Sequence, residues 1–435
     1  MLSTAVLRLV LALAVPSLAA AQVPDAKPAA AAPTTHGKLD WFRGSYDELL
    51  AAARKANKPI FMDFWTTWCG WCKKLDSDTF SDPAVVEAMS GFLCYSVDAE
   101  QTDLSAGIDG VRLAQRYGVR GYPYLVFAEP TGELRDRISG YLAPADFLRE
   151  VQRIQSGENT LSDLVERVQL EPANLFLRGE LMVRFAQFND VAASQREAAE
   201  LRTRVQRGEG FDPQSPYERW RVSQLLRNAG DEAGANAQLD AIRQFGEPGV
   251  RWLERRAALD TAVATVNRAY QTEKKLDAAP IAAFIAEEKR PELLYEAWIA
   301  RRNMENFTAN ERRKENNAQD EARARSASRA AAREAWKQCP ERFKNDVARE
   351  LVSAWVLDAA ALGAQDKAFA VEVARWAAEK APRDPSRLDL LGQALQMLGH
   401  HDQAVSAFER ALELGPQRMG TRTRLAAARA ALAPK

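Results

Sequence analysis

The stretch PIFMDFWTTWCGWCKKLD, residues 59–76, joins a short apolar run to two cysteines separated by two residues. Behind Pro59 the run 60–65 has the length and composition of a buried strand. Cys69-Gly70-Trp71-Cys72 then reads in three ways: a thiol/disulfide couple, half of a metal site, or a structural staple. Zinc would need a second ligand pair at similar spacing. The other two cysteines, Cys94 and Cys339, stand alone, and none of His36, His400 and His401 has a partner at ligand spacing. A disulfide closing so small a loop constrains the unfolded chain very little. Redox work is the leading reading, because a cysteine that opens a helix has its thiolate stabilised by the free amides of that helix. No metal is expected, and no cofactor beyond the Cys69–Cys72 couple.

Working outward, SYDELLAAARKANK carries Ser45 with Glu48 three residues on, a capping box that predicts a helix start. CGWCKKLDSDTF reads as a helix, GFLCYSVDA as a strand and DGVRLAQRYGV as a helix. YLVFAEPTGELRDRISG reads as two strands about a turn, and APADFLREVQRIQ as a closing helix. Strands alternating with helices and ending in a hairpin imply a small central sheet covered on both faces. The cysteine pair falls at a strand-to-helix junction, where redox and ligand chemistry tends to sit. Asp63, among Phe61, Met62, Phe64 and Trp65, is either a sheet-edge charge or a buried acid; its apolar neighbours favour burial and a raised pKa.

The runs MDFWTTWCGWCK, RYGVRGYPYLVF and GELRDRISGY together resemble the thioredoxin fold, an α/β fold with a central mixed sheet flanked by helices. WCGWCKKLDSDTFSDPAVVEAM resembles its periplasmic thiol-disulfide interchange branch. The resemblance covers residues 39–155. It implies that Cys69 is the attacking, partly exposed thiol and Cys72 the buried resolving one. Asp63 falls where the family keeps a carboxylate that exchanges protons with the resolving cysteine, and Asp76, one turn beyond Cys72, supplies a second acid. Pro123 falls at the family's cis proline, with Tyr122 before it offering backbone to an extended substrate. Gly70, Trp68, Trp71 and Tyr122 are substrate-binding candidates. The three aromatic rings read either as an exposed apolar collar or as core and rim packing. The chain departs from the family pattern at Tyr124, where threonine is common after the proline, and at Cys94, where many thioredoxins hold a lysine near the buried acid. Gly70-Trp71 is not the commonest dipeptide between the cysteines, so the direction of electron flow is not legible. Cys94 and Cys339 read as inert, unpaired thiols.

The opening MLSTAVLRLVLALAVPSLAAAQ has Arg8, an apolar run of about a dozen residues and Ala19-Ala20-Ala21 before Gln22, the pattern of a cleaved export signal over residues 1–21. The run is short for a membrane span. Residues 22–38, rich in Ala, Pro and Thr, read as a flexible linker. The expected location is the periplasm or another exported, oxidising space. The 435 residues hold 59 basic and 59 acidic side chains, so formal charge is zero and neither nucleic acid nor an anionic lipid surface is favoured.

Beyond residue 155 the composition turns to alanine, arginine and leucine at helical spacing. Residues 156–350 read as a helical region with degenerate repeats, one of them from Pro172. Within it NERRKENNAQDEARARSASRAAAREAW, which alternates charge sign, reads as one long solvated helix. Residues 351–432 read as tetratricopeptide-like repeats: Leu391, Gly392, Leu395, Ala404, Phe408, Ala411 and Pro416 hold the positions such a repeat demands, and Ala370, Ala374, Ala377 and Pro382 echo them. The whole implies a thioredoxin fold followed by an all-α solenoid. The expected function is exported thiol-disulfide oxidoreduction through the CGWC dithiol. The expected partners are disulfide-bearing protein substrates and a separate thiol reductant or oxidant, with protein docking on the repeats. The competing readings are a repeat scaffold whose thioredoxin-like domain docks with little turnover, and a disulfide oxidase or isomerase.

Overall fold

The computed structural model describes residues 37–432 apart from 104–107, 158, 274–275 and 417–418. The export signal and nearly all of the linker expected before residue 38 lie outside the described residues. The chain divides at Leu201/Arg202 into two compact units.

In the first unit, α1 (Tyr46–Ala56) starts with both halves of the capping box: the Glu48 amide donates to the Ser45 hydroxyl, and the Ser45 amide donates to the Glu48 carboxylate. β1 (Ile60–Trp65) follows, then α2 (Gly70–Lys74), α3 (Pro83–Met89), β2 (Leu93–Asp98), α4 (Gly110–Arg116), β3 (Tyr124–Ala128), β4 (Leu134–Ser139) and α5 (Pro144–Ser156). The sheet order is β2-β1-β3-β4, with β1/β2 parallel and the other pairs antiparallel. Strand alternation splits the core across its two faces. Met62, Phe64, Tyr124 and Val126 pack with α1 residues on one side, while Phe61, Leu125 and Phe127 pack with Leu75, Phe80 and Phe147 on the other.

The helix expected across residues 69–80 changes pitch. After Lys74 the chain forms a π turn, Leu75–Thr79, in which the Phe80 amide donates to the Leu75 carbonyl five residues back. The wider turn lets Leu75, Thr79 and Phe80 all be buried, the last ring packing edge-on against Phe61 and Phe147.

The compact unit also runs past the boundary expected at 155/156. α6 (Leu161–Leu170), α7 (Leu175–Gln187) and α8 (Val191–Gln206) follow. The physical reason is an edge: β4 ends the sheet, and α6 packs against it. Beneath this cover Asp136, whose side chain is fully buried, lies 2.6 Å from Arg153 and 3.6 Å from Arg184.

The second unit is helical: α9 (Pro216–Asn228), α10 (Glu232–Arg243), α11 (Glu247–Glu273), α12 (Ala279–Glu287), α13 (Pro291–Lys314), α14 (Ala318–Gln338), α15 (Glu341–Leu357), α16 (Ala364–Lys380), α17 (Pro385–Leu398), α18 (His401–Leu414) and α19 (Met419–Leu432). The single solvated helix expected over 310–336 is corrected. Asn316 takes a left-handed φ of 56° and Asn317 caps a new helix, so the segment folds back as the tip and second arm of an α13/α14 hairpin. Ala324, Ser328, Ala331 and Ala335 recur at helical spacing and are buried, a narrow small-residue face that the charge pattern had hidden. The boundary drawn at 350/351 falls inside α15. In the last hairpin, Gly399 at φ 88° ends α17, and a Cβ on Gly392 would run into the Phe408 ring. Ala370, Ala374 and Ala377 are buried on α16 as expected, but α15 begins 44 residues before α17, so the earlier pair does not keep a 34-residue step.

Candidate active site

Cys69 is the N-cap of α2 and is disulfide-bonded to Cys72, with sulfurs 2.00 Å and Cα atoms 5.3 Å apart. The Cys72 amide donates to the Cys69 sulfur over 3.1 Å, and the Cys69 amide donates to the Thr66 carbonyl over 3.1 Å. The first cysteine is thus held at the mouth of the helix with an N–H aimed at its sulfur, the arrangement that stabilises a thiolate once the bond is reduced. One expectation is corrected: Cys69 is 4% exposed and Cys72 3%, so the attacking position is not partly open in the oxidised pair. Its sulfur is committed inward, to Cys72 and to the Cys72 amide.

Asp63 stands on β1, paired across the sheet with Ser96 and Leu125. It is 2% exposed, and its Oδ1 has no hydrogen-bond partner among the described residues. Strand alternation puts it on the same face as Phe61, the face covered by Leu75 and Phe80. Burial pushes its pKa well above the ordinary carboxylate range, and the charge of Asp76 pushes it further. The π turn therefore carries the second acid within electrostatic reach of the first.

Pro123 is buried, follows a cis Tyr122–Pro123 bond, and its carbonyl accepts the Gly140 amide over 2.9 Å, extending the β3/β4 ladder to the proline. Of the three rings named as a collar or as packing, Trp68 meets Tyr122, whereas Trp71 packs on Tyr141. Trp68 and Trp71 are 66% and 59% exposed. Trp68 lies edge-on to Tyr122, with ring centroids 5.8 Å apart, and donates its indole N–H to Glu100 over 2.8 Å. Gly70 between them has open space around it.

Tyr141, Lys74 and Glu100 escaped the sequence reading of the site. Tyr141 packs against Trp71 at 5.6 Å, Lys74 lies over both rings, and the Tyr141 hydroxyl donates to Asp78. The signal for Lys74 was available, one helical turn from Trp71; Tyr141 and Glu100 arrive from other elements and leave no local trace. Cys94 and Cys339 are both buried, and burial raises each thiol to about 12. Among the described residues no group of three or more His, Cys, Asp or Glu side chains is placed to hold a metal ion.

Residues 46–155 match the thioredoxin-like domain family. The thiol:disulfide interchange protein DsbD of Vibrio vulnificus is 32% identical over 109 residues, which cover 25% of this chain and 18% of that protein. The protein of the same name from Campylobacter jejuni is 28% identical over 108 residues, with the same shares. A solved thioredoxin from Thermus thermophilus is 28% identical with a TM-score of 0.24, covering 27% of this chain and 86% of that one. The chain thus spans about a fifth of the length of the curated relatives it matches. Residues 46–155 are therefore a thioredoxin-like domain, in which Cys69 and Cys72 form a disulfide.

Proposed function

We propose that the protein is an exported thiol-disulfide oxidoreductase acting on disulfides of protein substrates. The observation that carries this reading is the Cys69–Cys72 disulfide at the start of α2, with the Cys72 amide on the Cys69 sulfur. In the reduced enzyme the Cys69 thiolate attacks a substrate disulfide. A Cys69–substrate bond forms and the other substrate sulfur leaves as a thiolate. Cys72, deprotonated, then attacks the Cys69 sulfur, releasing the second substrate thiol and closing the disulfide, so two electrons pass to the substrate. A thiol donor restores the dithiol. Asp63 takes the proton that Cys72 loses, and the charge of Asp76, which raises the pKa of Asp63, favours its protonated form. Pro123 and Tyr122 line the approach to the sulfurs, and Trp68, Gly70 and Trp71 receive the polypeptide around the scissile disulfide.

Export is supported by the apolar leader with its small-residue cleavage pattern, and the dithiol chemistry suits an oxidising compartment. The close approach of Gly392 to Phe408 in the α17/α18 hairpin supports reading the helices as tetratricopeptide-like repeats, and we assign the helical unit to protein docking on that reading.

Reduction of insulin disulfides with a thiol donor tests the reading: turnover by the full chain and none by Cys69→Ala is expected. Cys72→Ala should accumulate mixed disulfides whose partners name the substrates. Wild-type rates no higher than background would leave a docking module in place of an enzyme.

A further inference from the structure

Tyr124 follows Pro123 and opens β3. It is fully buried, and its phenol is met by Arg137 of β4, which donates an Nη1 hydrogen over 3.2 Å. The two share a face of the sheet, since Tyr124 pairs with Ser139 and Arg137 stands two residues earlier on the same strand. The Arg137 guanidinium is itself buried, with 9% of the side chain exposed, and a buried charge needs a countercharge. That countercharge comes from the turn between α7 and α8. Asp190 places Oδ2 3.8 Å from Arg137 Nη1, and the Phe188 ring lies 5.7 Å from the guanidinium carbon. Asp190 is fixed in its turn, because its Oδ1 caps α8 by accepting the Ala193 amide over 3.2 Å. On the other side of the proline, Tyr122 meets Trp68, the residue before Cys69. A path therefore runs from the helical hairpin by contacts to Tyr124, along the backbone through Pro123 to Tyr122, and by ring contact to Trp68.

We infer that Arg137, Asp190 and Phe188 are positioning residues: through Tyr124 the α7/α8 hairpin fixes Tyr122, and with it Trp68, in the arrangement that receives a disulfide-bearing polypeptide. The inference rests on the proposed redox function and adds a division of labour. The thioredoxin-like domain supplies the chemistry, and the helices that follow it set the fit of large substrates. None of the three residues is placed at the sulfurs, so their loss should leave the redox couple alone.

The test uses full-length Asp190→Asn, Arg137→Lys and Tyr124→Phe, the last keeping the packing should either of the others fold poorly. KM and kcat are measured with insulin and with cystine, together with the reduction potential and the NMR resonance of the Trp68 indole N–H. The expected result is a KM for insulin raised roughly 3- to 10-fold at unchanged kcat, the split produced by lost uniform binding. Cystine kinetics and the potential should not change, and the Trp68 resonance should shift. Double substitution at 124 and 190 should cost no more than the larger single effect, because both break one linkage. Equal loss on both substrates, a moved potential, or an unmoved Trp68 resonance would overturn the inference. A wild type inactive on both substrates, with a Trp68 resonance that still responds to Asp190→Asn, would sink the redox reading and leave the linkage standing.

Discussion

Asp63 on β1 and Asp389 on α17 are buried to nearly the same degree, at 2% and 0% exposure, and the fold treats them in opposite ways. Asp389 receives Arg424 through two nitrogens, at 2.6 and 3.2 Å, and the Gln393 amide at 2.9 Å. Asp63 has an Oδ1 that no described donor reaches, and the charge nearest to it in effect, Asp76, has the same sign. In the helical unit a buried carboxylate is a satisfied part of the scaffold. In the thioredoxin-like domain it is held at a cost to stability, as the proton-exchange role proposed for it would require.

The sharpest way to break this contrast is to remove both acids. Asp389→Ala removes the Arg424–Asp389 ion pair, and about 3 kcal/mol of stability should go, near the low end for a broken buried pair because Arg424 keeps some access to solvent. Urea unfolding of the full chain, with probes in each unit, should register the loss in the helical unit alone. A loss below about 1 kcal/mol would reduce this pair to the worth of a surface one.

Asp63→Ala should act in the other direction, raising stability by about 1–2 kcal/mol at pH 8, since desolvating an imperfectly paired polar group costs on this order. The sign follows from linkage. The folded pKa of Asp63 lies above its unfolded value of about 3.9, so the native state binds this proton more tightly. The wild type is therefore penalised progressively as pH rises from about 4 through the folded pKa. The variant should overtake it as pH climbs, and mixed disulfides should persist longer on the proposal that Asp63 is the proton partner of Cys72. A stability difference that is the same at pH 5 and pH 8 would show that Asp63 titrates as an ordinary acid.

The glycines repeat the contrast on a smaller scale. A methyl group at Gly392 meets the Phe408 ring, and overpacking of this kind costs about 1–2 kcal/mol. Gly70, between the two cysteines, has nothing within reach of an added Cβ, so Gly70→Ala should leave the melting temperature essentially unchanged and report only on substrate kinetics. Matched losses at the two positions would mean that the segment between the cysteines is packed as tightly as the α17/α18 hairpin.

What the sequence made legible was local. The Ser45/Glu48 box, the apolar run ahead of the cysteines and the small residues facing Phe408 each declare themselves within one element. The failures came where elements meet. The π turn at Leu75 answers to three groups buried against the sheet, which no 3.6-residue pattern records. Asn316 hid a hairpin because the alternating charges around it suit one solvated helix as well as two packed ones. Asp190 and Arg137 lie 53 residues apart in the chain and are joined only by the covering of the β4 edge. Within the site, the sulfurs, the buried acid and the proline were readable by position, whereas Tyr141 and Glu100 became visible only once the strands and loops had been assembled.

The effect expected to differ least between the two units concerns their lone cysteines, because each unit buries one. Burial raises both Cys94 and Cys339 to about 12, the first on β2 and the second at the end of α14. At pH 8 a thiol of that pKa is ionised to about one part in 10⁴, against about a quarter for an ordinary thiol near 8.5, so alkylation should be slowed roughly a thousandfold before any steric shielding is added. The native oxidised protein should therefore take up no label on the timescale that modifies a free thiol, and reduction should add reactivity at Cys69 first. Unfolding should expose Cys94 and Cys339 together with their ordinary rates. Faster labelling of Cys339 alone in the native state would mark local opening of the helical unit near α14, where packing is between helices and can be lost piecemeal. Faster labelling of Cys94 alone would place the soft spot in the sheet, which its register with β1 argues against.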